Sequence, residues 1–217
     1  MKTIGAFHTE AMFSDFLPTA ADAIVNELPK FRFMSGGQCV VPVTVRAIGG
    51  GTGRFGTQHS ATGESWYMGL PGLKVATAAT PASAYGTLRA AIRSDDPVLF
   101  FEHKGLYGRK GPVALGEDGI LAIGKASVLR PGTDVTVVST LLMADRSLSA
   151  ARALADEGIS AEVIELTWLR PLDYDTIIES VSRTAGMHLL ISYSPTLEDA
   201  IIPSVETIAG RIRLAIQ

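Results

Sequence analysis

The stretch "LKVATAATPASAYGTLRAAIRSDDPVLFFEH", Leu73–His103, decides the fold. "LKVATAA" is a short apolar run of strand type, and "DPVLFFEH" is another. Between them, "TPASAYGTLRAAIRS" places Thr80 as a cap and Pro81 at the first helical position, where its missing N–H costs nothing. A strand, a helix and a strand within thirty-odd residues predict a βαβ unit and a parallel sheet carrying helices on its faces.

Outward from this unit the alternation continues. "SDFLPTAADAIVNELPKF", Ser14–Phe31, spaces Phe16, Ala20, Ile24, Val25 and Leu28 at helical intervals, with Ser14 or Asp15 as cap and Pro29 close to its end. "CVVPVTVRA", Cys39–Ala47, is a β-branched strand, and Glu64–Met68 is a short helix ending at "LPG". "KGLYGRKGPVALGEDGILAIGKASVLRPGTD", Lys104–Asp134, is rich in glycine and reads as a linker with one or two short strands. A second α/β unit follows. Its strands are "VTVVST", "SAEVIEL" and "MHLLISY", and its helices are stopped by Gly158 and Gly186. A last helical run, interrupted by Pro203, reaches the end of the sequence. Trp168 and Tyr174 are expected to pack between the units.

Composition narrows the function. The chain has 217 residues, of which 47% are hydrophobic and 19% charged, a balance that favours a large core and subunit interfaces. A formal net charge of -3 without a Lys/Arg block argues against nucleic acid as the main partner. Cys39 is the one cysteine; it permits no internal disulfide and is expected to be buried. No secretory leader and no run of membrane-spanning length is recognised, which predicts a cytoplasmic protein.

Isolated chemistry is sparse. There is no G-x-G-x-x-G, no phosphate loop, no paired-histidine metal spacing and no nucleophile elbow. What stands out is "GGGTGRFGTQHS", Gly49–Ser60, a glycine-rich run that closes on His59. Such a backbone follows shapes that other residues resist and often passes close to a ligand. Imidazole is the side chain whose ordinary titration range lies nearest neutrality. From these residues alone His59 is either a proton-transfer group or a brace for its loop.

The motifs "EAMFSDF", "RFMSGGQCVVPVTVRA", "RFGTQHS", "PGLKV", "AAIRSDDPVLFFEHKGLY", "GKASVLRPGTDVTVVS" and "AEVIELTWLRPLDYDTI" occur in order from Glu10 towards Arg183. Together they resemble the β subunit of the thiamine-diphosphate-dependent decarboxylase of 2-oxo acid dehydrogenase complexes, the pyruvate, branched-chain and acetoin enzymes. The resemblance implies an α/β fold of transketolase type. A pyrimidine-binding domain would span 1–107, a linker 108–133, and a shortened carboxy-terminal domain 134–217. It implies an α subunit that shares the thiamine diphosphate and carries the Mg²⁺, and a lipoyl acyltransferase core that receives the acyl group. His59 inherits the position facing the reacting carbonyl, Phe16 the aromatic that stacks on the aminopyrimidine, and Met12 a place in the same pocket. Val43, Ala91, Ile92, Ser94 and Asp96 match a turn that holds a structural potassium ion, with Ser94 where the family often has Asp.

The family's activating glutamate is expected to precede "EAMFSDF", and the family's acidic turn and glycine-rich helix start are replaced here by "ISYSPTLEDAIIPSVETIAG". Two readings follow. The chain is a dehydrogenase β subunit that is inactive when isolated and associates with itself or a partner, or it is a non-catalytic, regulatory relative that keeps the fold.

Overall fold

The computed structural model describes residues 2–3, 7–11, 13–184, 187–190 and 204–216. Met12 and Gly186 therefore lie outside the described residues, as does Pro203.

The βαβ unit is present. Strand β5 (Lys74–Thr77) leads through helix α3 (Pro81–Ile92) to strand β6 (Val98–His103), and β5 and β6 pair in parallel with Val75 opposite Leu99. Thr80 caps α3 as the sequence indicates: its hydroxyl accepts from the Ser83 N–H, and Ser83 Oγ accepts from the Thr80 N–H. All six residues of β6 are buried, which is why this strand reads as a continuous apolar run rather than an alternation.

Around this unit a five-stranded sheet forms in the order β10-β5-β6-β4-β2, with β4 at Val43–Gly49, β2 at Phe7–Ala11 and β10 at Trp168–Arg170. Strands β2, β4, β6 and β5 are parallel; β10 runs antiparallel along β5. Strand β1 (Lys2–Thr3) pairs with β3 (Cys39–Val40) beside it. The apolar run Cys39–Ala47 is thus divided between β3 and β4. The break falls at Pro42, which has no N–H for a ladder.

The Ser14–Phe31 segment departs from a single α-helix. A 3₁₀ segment, Ser14–Ala20, passes into a π-helical one, Asp22–Glu27, and then into α1 (Leu28–Met34). Pro29 does not end the helix but opens its α-helical part. Because proline offers no N–H to the carbonyl four residues back, the change of register costs no bond at that point.

A second sheet has the order β11-β8-β9-β7, formed by Met187–Leu190, Val135–Ser139, Ala161–Glu165 and Ser127–Arg130. It is parallel except for β7. Helix α4 (Leu141–Ala155) connects β8 to β9, α5 (Tyr174–Arg183) precedes β11, and α6 (Val205–Ala215) packs on α4. The helix leading to Gly186 already stops at Arg183, with Thr184 as its extended C-cap.

The two sheets share a core. Tyr67, Leu73, Val75, Leu99 and Phe101 from the first half of the chain cluster with Val138, Ile164, Leu166 and Leu169 from the second. Strand β10 goes further, since it leaves the second half of the chain to complete the first sheet. Trp168, 1% exposed, lies there against Ala90, Ala91 and Phe100. Tyr174 is 65% exposed, so the interdomain packing expected of the pair belongs to Trp168 alone. Cys39 is half-buried rather than buried.

Candidate active site at the carboxyl ends of the first sheet

Strands β2, β4 and β6 point the same way, so the loops that follow them emerge together at one edge. In parallel α/β sheets that edge is where ligands bind. Phe13 and Phe16 follow β2, the glycine-rich loop follows β4, and Lys104 follows β6. Sequence reading took Phe16 and His59 from different segments, and the structure brings them together.

The His59 ring is half-buried and edge-on to two phenyl rings, Phe13 at 5.0 Å and Phe16 at 5.4 Å between centroids. Phe16 is 44% exposed, an open aromatic face rather than a core side chain. Ser14 and Asp15 do not cap the helix, which starts after Phe13 without a side-chain cap. They reach instead to the far end of the glycine loop: Ser14 Oγ donates to the Ala61 carbonyl at 3.0 Å, and the Ala61 N–H donates to Asp15 Oδ1 at 2.9 Å. These bonds cross 46 and 47 residues and hold the Phe16 segment against the His59 loop. Asp15 Oδ2 is shielded from solvent and, among the described residues, has no hydrogen-bond partner. The exposed Phe16 ring is the part of this arrangement on which a planar heterocycle could stack.

The loop's first turn explains one glycine. Gly50 has φ +91°, and a Cβ there would stand 2.1 Å from His103 Nε2. Only glycine lets β4 end against the buried His103 ring, whose Nδ1 accepts from the Gly105 N–H at 3.1 Å. Gln58 and Arg54 are exposed, and Arg54 has a left-handed φ of 58°.

Lys104 was not singled out by sequence reading. Its ammonium donates to the His59 carbonyl and lies 4.6 Å from the centre of the Phe55 ring and 5.3 Å from that of Phe13. The signal that could have found it is positional: it is the first residue after a buried parallel strand.

Beyond the loop, Glu64 at the start of α2 (Glu64–Met68) is buried, and burial pushes its carboxyl up to about 7. Glu165, at the end of β9, is likewise raised to about 7 by burial, against hydrogen bonds from Ser83 and the Ala79 N–H that partly oppose it.

The turn expected to hold potassium is organised differently. Ala91 and Ile92 close α3, and Val43 opens β4. The Lys74 ammonium, however, sits 2.6 Å from Asp96 Oδ2 and 3.1 Å from Ser94 Oγ, while the Arg32 guanidinium takes Asp96 Oδ1 at 2.5 Å. These two cations hold the Asp96 carboxyl below its ordinary value, although partial burial opposes them. Both side chains thus already face positive charge from within the chain. Among the described residues no group of three or more His, Cys, Asp or Glu could hold a metal ion.

This arrangement defines a class: two parallel α/β units with an aromatic and imidazole site at the carboxyl ends of the first. The chain matches the pyrimidine-binding domain of transketolase over residues 3–110 and the transketolase carboxy-terminal domain over 124–190. A solved structure described as a split-gene transketolase, an inactive β4 tetramer, superposes with a TM-score of 0.73 at 20% identity, covering 97% of this chain and 76% of that one. That likeness shows the fold.

Sequence relatives narrow it further. The chain is 39% identical to the β subunit of acetoin:2,6-dichlorophenolindophenol oxidoreductase of Cupriavidus necator over 242 residues, 94% of this chain and 71% of the relative. It is 42% identical to the 2-oxoisovalerate dehydrogenase β subunit of Bacillus subtilis, over 92% of this chain and 60% of the relative. It is 45% identical to a mitochondrial pyruvate dehydrogenase E1 component β subunit of Arabidopsis thaliana, over 82% of this chain and 50% of the relative. The chain belongs to the family of 2-oxo acid and acetoin dehydrogenase β subunits. It spans between half and about seven tenths of these relatives' lengths.

Proposed function

We propose that the chain works with an α subunit as the β half of a thiamine-diphosphate-dependent dehydrogenase acting on acetoin or a 2-oxo acid, and that it passes the acyl group to the lipoyl group of an acyltransferase. The observation that supports this most directly is the half-buried His59 ring set against the open face of Phe16 at the carboxyl edge of the sheet. When bound, the cofactor supplies the carbanion chemistry. The chain's own residues do the rest. Phe16 offers its exposed face to the aminopyrimidine, with Met12 from the same segment as a second lining residue. His59 gives or takes a proton at the reacting carbonyl and the acyl carrier.

The diphosphate and its Mg²⁺ fall to the α subunit in this reading. A potassium ion at the turn of Val43, Ala91, Ile92, Ser94 and Asp96 would rest on backbone carbonyls, since Lys74 and Arg32 already supply the positive charge at the Asp96 carboxyl. The pyrimidine-binding unit is taken as 1–107, the linker as 108–133 and the carboxy-terminal unit as 134–217. We place the protein in the cytoplasm; among the described residues no helix is long and apolar enough to cross a membrane. Phe33 and Met34 on α1 and Trp66 on α2 are exposed, which supports a partner subunit or self-association.

The test is reconstitution. The chain, joined to the amino-terminal segment of a close relative that carries the activating glutamate, and a matching α subunit are mixed with thiamine diphosphate and Mg²⁺ and assayed for reduction of 2,6-dichlorophenolindophenol by acetoin, pyruvate and 2-oxoisovalerate in turn. Cofactor-dependent reduction with one substrate is the expected result. No reduction with any of them, from a mixture shown by light scattering to have assembled, refutes the proposal.

A further inference from the structure

We propose that Lys104 is the positioning residue of the site, a clamp that fixes where the His59 imidazole stands; its relevance to turnover rests on the reading of His59 given above. Three contacts converge on one ammonium. It donates a charge-assisted hydrogen bond to the carbonyl of His59 itself, which ties the backbone of the loop to the end of β6. It lies over the Phe55 ring, four residues earlier in the same loop, at 4.6 Å. It also lies 5.3 Å from the Phe13 ring, and Phe13 is the ring against which His59 stands edge-on at 87°. One cation therefore joins the loops that follow β2, β4 and β6.

The glycine-rich loop needs such a clamp. Between Gly50 and Gly56 it contains four glycines, and residues 53–58 are exposed; the Gly50 N–H donates to the Ala61 carbonyl at 3.1 Å, and the His59 N–H reaches the Gly56 carbonyl only at a long 3.5 Å. The ties of Ser14 and Asp15 reach the loop only at Ala61, beyond the histidine. Lys104 supplies the tie at the histidine itself. The anchor is firm, because Lys104 follows His103, which is 2% exposed and hydrogen-bonded to Gly105.

The experiment reads His59 directly, without turnover. In the full chain, which has four histidines, the His59 ring signals are assigned by their loss in His59→Gln. Ring-proton shifts and backbone amide exchange over residues 56–60 are then compared in the parent, Lys104→Met, Lys104→Arg and Phe55→Leu. Methionine keeps an apolar stem over the rings and lacks the donor. The His59 ring signals should move towards those of a free imidazole, and loop amide exchange should rise about tenfold or more, the scale of a lost charged hydrogen bond. Arginine keeps both the charge and the donor and should restore the parent's signals. Phe55→Leu alters an exposed ring, spares the fold if Lys104→Met does not, and should loosen the loop in the same direction. Parent-like shifts and exchange in Lys104→Met, or in Phe55→Leu where Lys104→Met does not fold, overturn the proposal. In the reconstituted enzyme, Lys104→Met should lower kcat by about tenfold or more with KM unchanged. A loop that loosens while turnover holds at the parent's level leaves the clamp in place and refutes the catalytic role of His59.

Discussion

Replacing Glu165 with Gln should make the protein's stability less sensitive to pH between about 5 and 8. Glu165 is fully buried where the second sheet meets the start of α3. Its Oε1 accepts from the Ala79 N–H at 2.6 Å, and among the described residues its Oε2 has no partner. Burial raises its carboxyl from 4.5 to about 7. A raised carboxyl means that the folded chain binds the proton more tightly than the unfolded one. The contribution to stability is therefore fullest below 4.5, falls as pH rises towards 7, and stays at its low value above that. The interval from 4.5 to about 7, at about 1.4 kcal/mol per pH unit, amounts to about 3 kcal/mol.

Glutamine keeps an oxygen for Ala79 and does not titrate. Whatever it costs in packing is the same at every pH, and the similar raised carboxyl of Glu64 is common to both proteins and cancels. Between pH 5 and pH 8 about 2.5 kcal/mol of this is lost, so the melting temperature of Glu165→Gln relative to the parent should rise over that window by roughly 5–10 °C, taking about 2–4 °C per kcal/mol for a chain of this size. Scanning calorimetry at half-unit pH steps measures it. Melting curves that stay parallel across the range would show that Glu165 does not carry a raised carboxyl, and the reasoning would fail.

Gly50→Ala should destabilise the chain by about 2 kcal/mol or more, because φ is +91° and the new Cβ would meet the His103 ring at 2.1 Å; urea unfolding of the variant checks this. Asp173 caps α5, accepts from the Thr176 N–H and hydroxyl and from the Ala126 N–H, and is held down to about 2, its own burial opposing these bonds. Its stabilisation is present above 3.8 and lost as pH falls towards 2, so Asp173→Asn should cost about 1–2 kcal/mol at pH 7 and much less at pH 2.5, as read by denaturant titration at the two values. In the reconstituted enzyme, His59→Ala should slow acyl transfer to lipoamide by roughly two to four orders of magnitude with cofactor affinity unchanged. Phe16→Ala should weaken cofactor binding by about 1 kcal/mol, seen by calorimetric titration, and equal effects of the two changes on both quantities would refute the division of roles.

The sequence by itself determined the parallel α/β architecture and the family. The reason is that both are written locally, in apolar runs of strand length, the Thr80 and Pro81 helix start, and motifs such as "RFGTQHS" whose residue order needs no partner to be legible. It also singled out His59 and Phe16, from a glycine-rich loop and a stated resemblance. Only the tertiary structure decided what those residues meet. Trp168 lies in a segment that follows β9, yet it completes the first sheet beside β5; strand pairing between residues almost a hundred positions apart leaves no periodic mark in either segment. Ser14 and Asp15 look like helix caps because their side chains suit that task, but the Ala61 backbone, brought near by the parallel register of β2 and β4, claims both. Lys74 and Arg32 come from separate elements to neutralise Asp96, a pairing that the turn's own residues do not announce. Lys104 is an ordinary lysine in sequence. Its place over two phenyl rings and on the His59 carbonyl exists because three parallel strands end at one edge, and the chain's order alone does not say which loops will share that edge.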